Sequence, residues 1–442
     1  MQVPAPWLWR FSRSDMKEQE KEMLRWVRLD NAAKIYPAAR RRNWSNVFRE
    51  SVTFCEKIDV SVLEKALAVT VPRFPSVAAR LRRGLFWYYL QQVEKPPEIG
   101  EEQSCPLVYM SKQEMRKCAF RVIVYENRLA VEFFHSLTDG TGAMIFLKSL
   151  TAEYLEQKYG ISVPAECGVL DRREAPKAEE LEDSFLKYAG EVSVSRKDTD
   201  AWHIKGIRET DGFLHLTCFR LPVPQLLEMA HEHRATMTVF LGAVMMKALE
   251  NLQREKKQEG RKPIKLLIPV NLRSLFPSGT IRNFAMYTIP EMDPRLGEYT
   301  LQEICDLIRN KMGLEVTAKH MRSVIATNVK DERNFLLRVV PLPLKNAVMK
   351  AVFDSVGERK SCLSMSNLGN VQLPDVMLPY IKRMDFILGV QAAAPYNCGV
   401  LSYDGIAYIN FIRNTRDAEL ERSFFAVLRE LGIPVMVESN GN

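Results

Sequence analysis

Residues 121–140 read RVIVYENRLAVEFFHSLTDG, and the reading of this run decides the fold. Arg121 to Tyr125 is β-branched and apolar, Glu126-Asn127-Arg128 is a polar break, and Leu129 to Phe134 is apolar again. That grammar predicts a β-hairpin whose second arm runs straight into His135. Beyond Asp139 and Gly140, the positions Ala143, Leu147, Leu150 and Tyr154 recur at helical spacing to about Lys158, and Gly160 supplies a stop signal. His135 is therefore expected between a strand and a helix.

Working outward, residues 16–29 are charged and helix-prone, and residues 48–54 (FRESVTF) have strand composition. Val62, Ala66 and Val69 follow helical spacing, with Ser61 as the expected cap and Pro72 as the stop. LFWYYLQ at 85–91 reads as an aromatic core strand. Residues 171–200 are dominated by charge, which predicts an inter-lobe linker and a boundary near 190, giving an N-terminal lobe 1–190 and a C-terminal lobe 191–442. In the second half, strands are expected at 213–221, 265–270, 361–365, 386–390 and 407–412, and helices at 224–233, 238–252 and 419–431. No short-period repeat is visible, which argues against solenoids and propellers.

The 442 residues exceed one ordinary core, and 46% hydrophobic with 26% charged residues is the balance of a folded globular chain. Two α/β lobes are expected. The 62 Lys and Arg against 54 Asp and Glu leave +8, too diffuse to point to nucleic acid. The denser basic runs, Arg40-Arg41-Arg42 and residues 254–265, read as solvated surface, although the second would also suit the phosphates of a nucleotide-bearing substrate. Eight cysteines without a CxxC pair indicate neither a zinc site nor a disulfide scaffold. Reduced thiols and a cytoplasmic location are the expectation, since Pro4 and Pro6 break the N-terminal apolar residues and no run is long enough to span a bilayer.

With six histidines in the chain, few groups can exchange a proton near neutral pH. His135, with Asp139 four residues on, is the one placed at an element end. On the residues alone it is either a structural histidine or a general base. Metal binding wants further ligands nearby, and only Asp139 is offered. A serine-hydrolase triad wants a GxSxG elbow, and none occurs. His231 and His233 flank Glu232 on a predicted helix, where a spacing of two splits them between faces, so both read as surface.

The segment Phe134-His135-Ser136-Leu137-Thr138-Asp139-Gly140 resembles the HHxxxDG motif of the coenzyme-A-dependent acyltransferase superfamily. Chloramphenicol acetyltransferases, peptide-synthetase condensation domains and alcohol acyltransferases belong to that superfamily. Pro269-Val270-Asn271-Leu272-Arg273, Arg282-Asn283-Phe284 and Ser366-Asn367-Leu368-Gly369 extend the resemblance, in the order seen in alcohol-acetyltransferase-like members. It implies two chloramphenicol-acetyltransferase-like lobes, each a mixed sheet flanked by helices, with a tunnel between them. His135 would be the general base, Asp139 a structural carboxylate paired with Arg273, and Gly140 a permit for close backbone approach. Ser366 would be an oxyanion donor, and Phe134, Asn283 and Asn367 would face substrate, with Asn283 alternatively a strand-end cap and the SNLG segment alternatively a plain turn.

The implied activity is acyl transfer from acyl-CoA, a co-substrate rather than a resident cofactor, to a hydroxyl or amine of a small acceptor, with no metal and no acyl-enzyme. An acyl carrier protein is the alternative donor. Two departures stand out: Phe134 replaces the first motif histidine, and the plant-type DFGWG signature is missing, with Ser402-Tyr403-Asp404-Gly405 reading as a hairpin turn. Phe134 is also the feature that best suits a non-catalytic protein of the same fold.

Overall fold

The computed structural model describes residues 26–40, 46–192, 199–257, 262–333, 339–352, 358–391 and 394–441. The hairpin forms as Phe120–Tyr125 and Arg128–Phe134, with Glu126 turning the corner at φ 49°. Strand Val47–Phe54 pairs antiparallel with the second arm, Val47 opposite Phe134, and is buried on both faces as a central strand should be. A five-stranded sheet results. Its edge next to Val47–Phe54 is filled by Ile381–Ile387, a strand from the second half of the chain, with Phe386 opposite Glu50.

Helix Gly140–Tyr159 packs on this sheet and on helix Val60–Thr70. Thirteen of its residues are buried, on all sides, so it is an interior helix rather than a surface one. Gly160 ends it at φ 67°, a left-handed position that glycine adopts without strain. The second sheet runs Ala285–Thr288, Ile264–Asn271, Leu363–Asn370, Tyr396–Tyr403, Ile406–Arg413, His215–Pro222 and Met436–Ser439, with Glu291–Met292 also on Ile264–Asn271. Leu363–Asn370 pairs parallel with both neighbours and the other pairings are antiparallel, which makes the sheet mixed. Helices Met237–Glu255, Leu301–Glu315 and Glu419–Glu430 share a core with it. A third, three-stranded sheet joins Trp26–Arg28, Tyr88–Gln92 and Ala79–Arg83.

Several expectations need correction. The cap of helix Val60–Thr70 is Asp59, whose carboxylate accepts from the Ser61 and Val62 amides, while Ser61 lies inside the first turn. The aromatic strand begins only at Tyr88, and Leu85 is 82% exposed. The strand expected at 386–390 lies at Ile381–Ile387. Residues 26–28 of the expected first helix are strand, and 16–25 lie outside the described residues.

Part of the charge of the expected linker is paired inside the fold, while Arg173, Glu174 and Lys177 stay exposed. Glu180 accepts from both Arg73 terminal nitrogens at 2.5 and 2.7 Å, and Arg172 pairs with Glu153 and Glu156. Residues 180–182 also lie beside the 280–282 segment, where the Ile281 amide donates to the Glu180 carbonyl and the Arg282 guanidinium to the Leu181 carbonyl. Of the basic run at 254–265, Arg254 pairs with Glu298, Lys256 with Glu419, Lys262 with Asp200 and Lys265 with Glu291, so these cations are neutralised within the fold. Cys105, Cys218, Cys305, Cys362 and Cys398 are buried, and all eight thiols are free.

Candidate active site

The motif loop is held from three sides. The His135 amide donates to the Asn46 carbonyl at 2.9 Å, Ser136 Oγ to the Ala33 carbonyl at 2.9 Å, and Thr138 Oγ1 to the Ile281 carbonyl at 2.6 Å. Ser136 and Thr138 are fully buried, so the loop has little freedom. Its last residue, Asp139, caps helix Gly140–Tyr159 by accepting from the Gly142 amide at 3.0 Å.

The other Asp139 oxygen accepts from Arg273 Nη1 and from the Phe284 amide, both at 2.8 Å. Arg273 is fixed in turn, donating through Nε to the Thr280 carbonyl and through Nη2 to the Arg282 carbonyl. Asp139 is thereby committed to holding the 280–284 segment against the helix start.

Between the two large sheets lies a cavity of about 350 Å³, lined by His135, Tyr36, Phe48, Met286, Ser366 and Leu368 among others. That is the size of a small-molecule site. His135 Nδ1 is 3.1 Å from Asn283 Oδ1. The Asn283 amide nitrogen donates to Asp30 Oδ2 at 3.3 Å, which leaves its oxygen as the end facing the histidine. Nδ1 therefore carries the proton in the neutral ring, and Nε2 keeps its lone pair. The imidazole stacks on Tyr36, ring centres 4.4 Å apart and planes 15° apart, with Phe48 at 5.0 Å. Burial pushes its pKa down, opposed by bonds to backbone carbonyls, the charge of Asp139 and the Asn283 bond. A neutral, oriented imidazole is the result, as a general base requires.

Of the residues singled out in the sequence, His135, Asp139, Gly140, Ser366 and Asn367 line this cavity. Asn367 spends its amide on the fold, donating to Thr238 Oγ1 at 3.1 Å and accepting from the Gly369 amide at 2.8 Å, with Gly369 at φ 77°. Asn283 is behind the histidine rather than on the wall. Phe134, expected at substrate, is instead 0% exposed in the first lobe's core and does not line the cavity.

The backbone approach expected at Gly140 is made at Gly142, where a Cβ would overlap the Ile281 carbonyl and Thr138 Oγ1; at Gly140 the near neighbour is the Leu368 side chain. Tyr36, Asp30 and Gly142 were not singled out in the sequence. Gly142, two residues past the motif, carried a local signal, whereas Tyr36 and Asp30 meet His135 only through the tertiary fold. Among the described residues, no helix is long and apolar enough to cross a membrane, and no group of three or more His, Cys, Asp or Glu could hold a metal.

No protein-family model and no curated protein matches the chain. Solved structures do match. F. graminearum TRI101, crystallised with coenzyme A and T-2 mycotoxin, superposes with a TM-score of 0.63 over 94% of this chain and 100% of its own, at 12% identity. The first condensation domain of the calcium-dependent antibiotic synthetase gives 0.58 over 93% and 99%, at 13% identity. The trichothecene 15-O-acetyltransferase TRI3 from Fusarium sporotrichioides gives 0.57 over 91% and 94%, at 10% identity. The chain therefore has the two-lobed α/β fold of coenzyme-A-dependent acyltransferases and condensation domains.

Proposed function

We propose that this chain is an acyltransferase that moves an acyl group from acyl-CoA to the hydroxyl or amine of a small acceptor, with His135 as general base. The observation that carries the reading is the Asp30–Asn283–His135 chain, which supports an imidazole with Nε2 free at a cavity between lobes. In this reading Nε2 takes the acceptor's proton as the acceptor oxygen or nitrogen attacks the thioester carbonyl carbon. The tetrahedral intermediate then expels the thiolate, which takes the proton back from the imidazolium and leaves as free thiol. No acyl-enzyme forms.

Ser366 is the proposed donor to the oxyanion, where one such bond is worth about 3 kcal/mol. The acyl-CoA donor is supported by coenzyme A in the TRI101 crystals, and a carrier-protein donor by the condensation-domain likeness. The test is thiol release from acetyl-CoA and longer acyl-CoAs with a panel of alcohols and amines, beside the same donors as carrier-protein thioesters. Acceptor-dependent release that vanishes in His135→Ala supports the reading. Folded protein that releases thiol from neither donor class refutes it and leaves a non-catalytic protein of this fold.

A further inference from the structure

Glu50 is 0% exposed, and among the described residues neither of its carboxyl oxygens has a hydrogen-bond partner. A buried polar group without a partner is costly, and cores that keep one at a cavity commonly do so for function. Its position is informative. Phe48, two residues earlier on the same strand, and Phe386, directly opposite on the neighbouring strand, both line the cavity. Strand periodicity puts Glu50 on that same sheet face.

Glu50 Oε1 lies 3.6 Å from where a Cβ on Gly140 would stand, and Leu368 occupies the same spot at 2.8 Å; Gly140 and Leu368 are both cavity wall. The carboxyl thus lies beside two residues of the cavity wall, Gly140 and Leu368. Along the strand it is four residues from Asn46, the anchor of the His135 amide, or about 13 Å of chain.

We propose that Glu50 is the polar floor of the cavity and hydrogen-bonds a hydroxyl or amide carried by a bound substrate, admitted when the Leu368 side chain turns aside. Burial, and next the charge of Asp139, push the Glu50 carboxyl well above the usual range, against the opposing charge of Lys148, and so favour its protonated form. A neutral carboxyl both donates and accepts, so it suits a neutral hydroxyl or amide. Two sources offer that chemistry: a second hydroxyl on the acceptor, or an amide of the pantetheine arm of the donor. The inference rests on the acyl-transfer reading of this cavity.

The test compares wild type, Glu50→Met and Glu50→Gln in the full chain, using acetyl-CoA with 1-octanol or 1,8-octanediol. Loss of the polar floor is expected to raise one KM about tenfold in Glu50→Met, while Glu50→Gln, which still donates and accepts, stays within about threefold. A rise confined to the diol assigns the acceptor. A rise for acetyl-CoA with both alcohols assigns the pantetheine arm. Unchanged KM values in a Glu50→Met protein that unfolds at higher temperature would overturn the proposal and leave Glu50 a mere burden on the core. Should wild type prove inactive, the acyl-transfer reading fails separately, and calorimetric titration with coenzyme A and with the diol decides for Glu50. Weaker binding to Glu50→Met supports the floor; equal binding, or none to wild type, overturns it.

Discussion

Arg273 Nη1 stands 2.8 Å from Asp139 Oδ2, with the two side chains 12% and 7% exposed. The pair closes the loop that presents His135 and the segment that carries Asn283. Removing Arg273 leaves a buried carboxylate facing no cation, so Arg273→Ala is expected to cost about 3–5 kcal/mol of unfolding free energy. Asp139→Ala should cost about 1 kcal/mol more, because the helix cap is lost as well. Denaturant unfolding measures both. A loss below about 1 kcal/mol for Arg273→Ala would mean that the pair does not hold the site together.

His135→Ala is expected to bring thiol release to the uncatalysed background while leaving the unfolding midpoint near that of wild type. The pH profile is the sharper check. Only the neutral ring is a base, and burial shifts the His135 pKa below 6.5, so at any given pH more of the ring is neutral than in a free histidine. The rate constant kcat/KM should therefore fall on the acid side with a midpoint below 6.5 and level off as pH rises above that limb. An acid limb centred above that value would contradict a half-buried histidine acting as the base.

Asn283→Leu removes the acceptor that fixes Nδ1. The base then samples wrong orientations, and kcat is expected to fall about tenfold to a hundredfold with KM little changed. The same bond favours the protonated ring, so its loss should also move the acid limb to lower pH. An unaltered limb with a raised KM would make Asn283 a substrate contact instead.

How much of this was legible in the sequence follows from the range of the forces involved. The hairpin, the helix after Gly140 and its stop at Gly160 rest on local periodicity and turn chemistry, and they could be read in order along the chain. The Asp59 cap lay two residues from the expected one, since both side chains suit that role. Ile381–Ile387 could not be assigned to the first lobe's sheet, because register across 330 residues leaves no local mark. Residues 171–200 show a limit of another kind: charge density looks the same whether exposed, as at Arg173, or paired in the interior, as at Arg73–Glu180. Asn283 was visible only through a resemblance, which pointed to the residue but not to its atom-level task.

Phe134→His tests the one place where this chain departs from the two-histidine pattern it resembles. The Phe134 ring is fully enclosed, and its amide donates to the Ala119 carbonyl at 2.9 Å, so the strand end is fixed from both sides. An imidazole there buries ring nitrogens in an apolar cluster, at an expected cost of about 1–3 kcal/mol, because the site was shaped for a ring that needs no partner. No gain in thiol release is expected, since the cavity wall begins at His135. Thermal unfolding and kcat/KM measured on one preparation separate the outcomes. A tenfold faster variant at wild-type stability would place position 134 in the chemistry and contradict its assignment to the core.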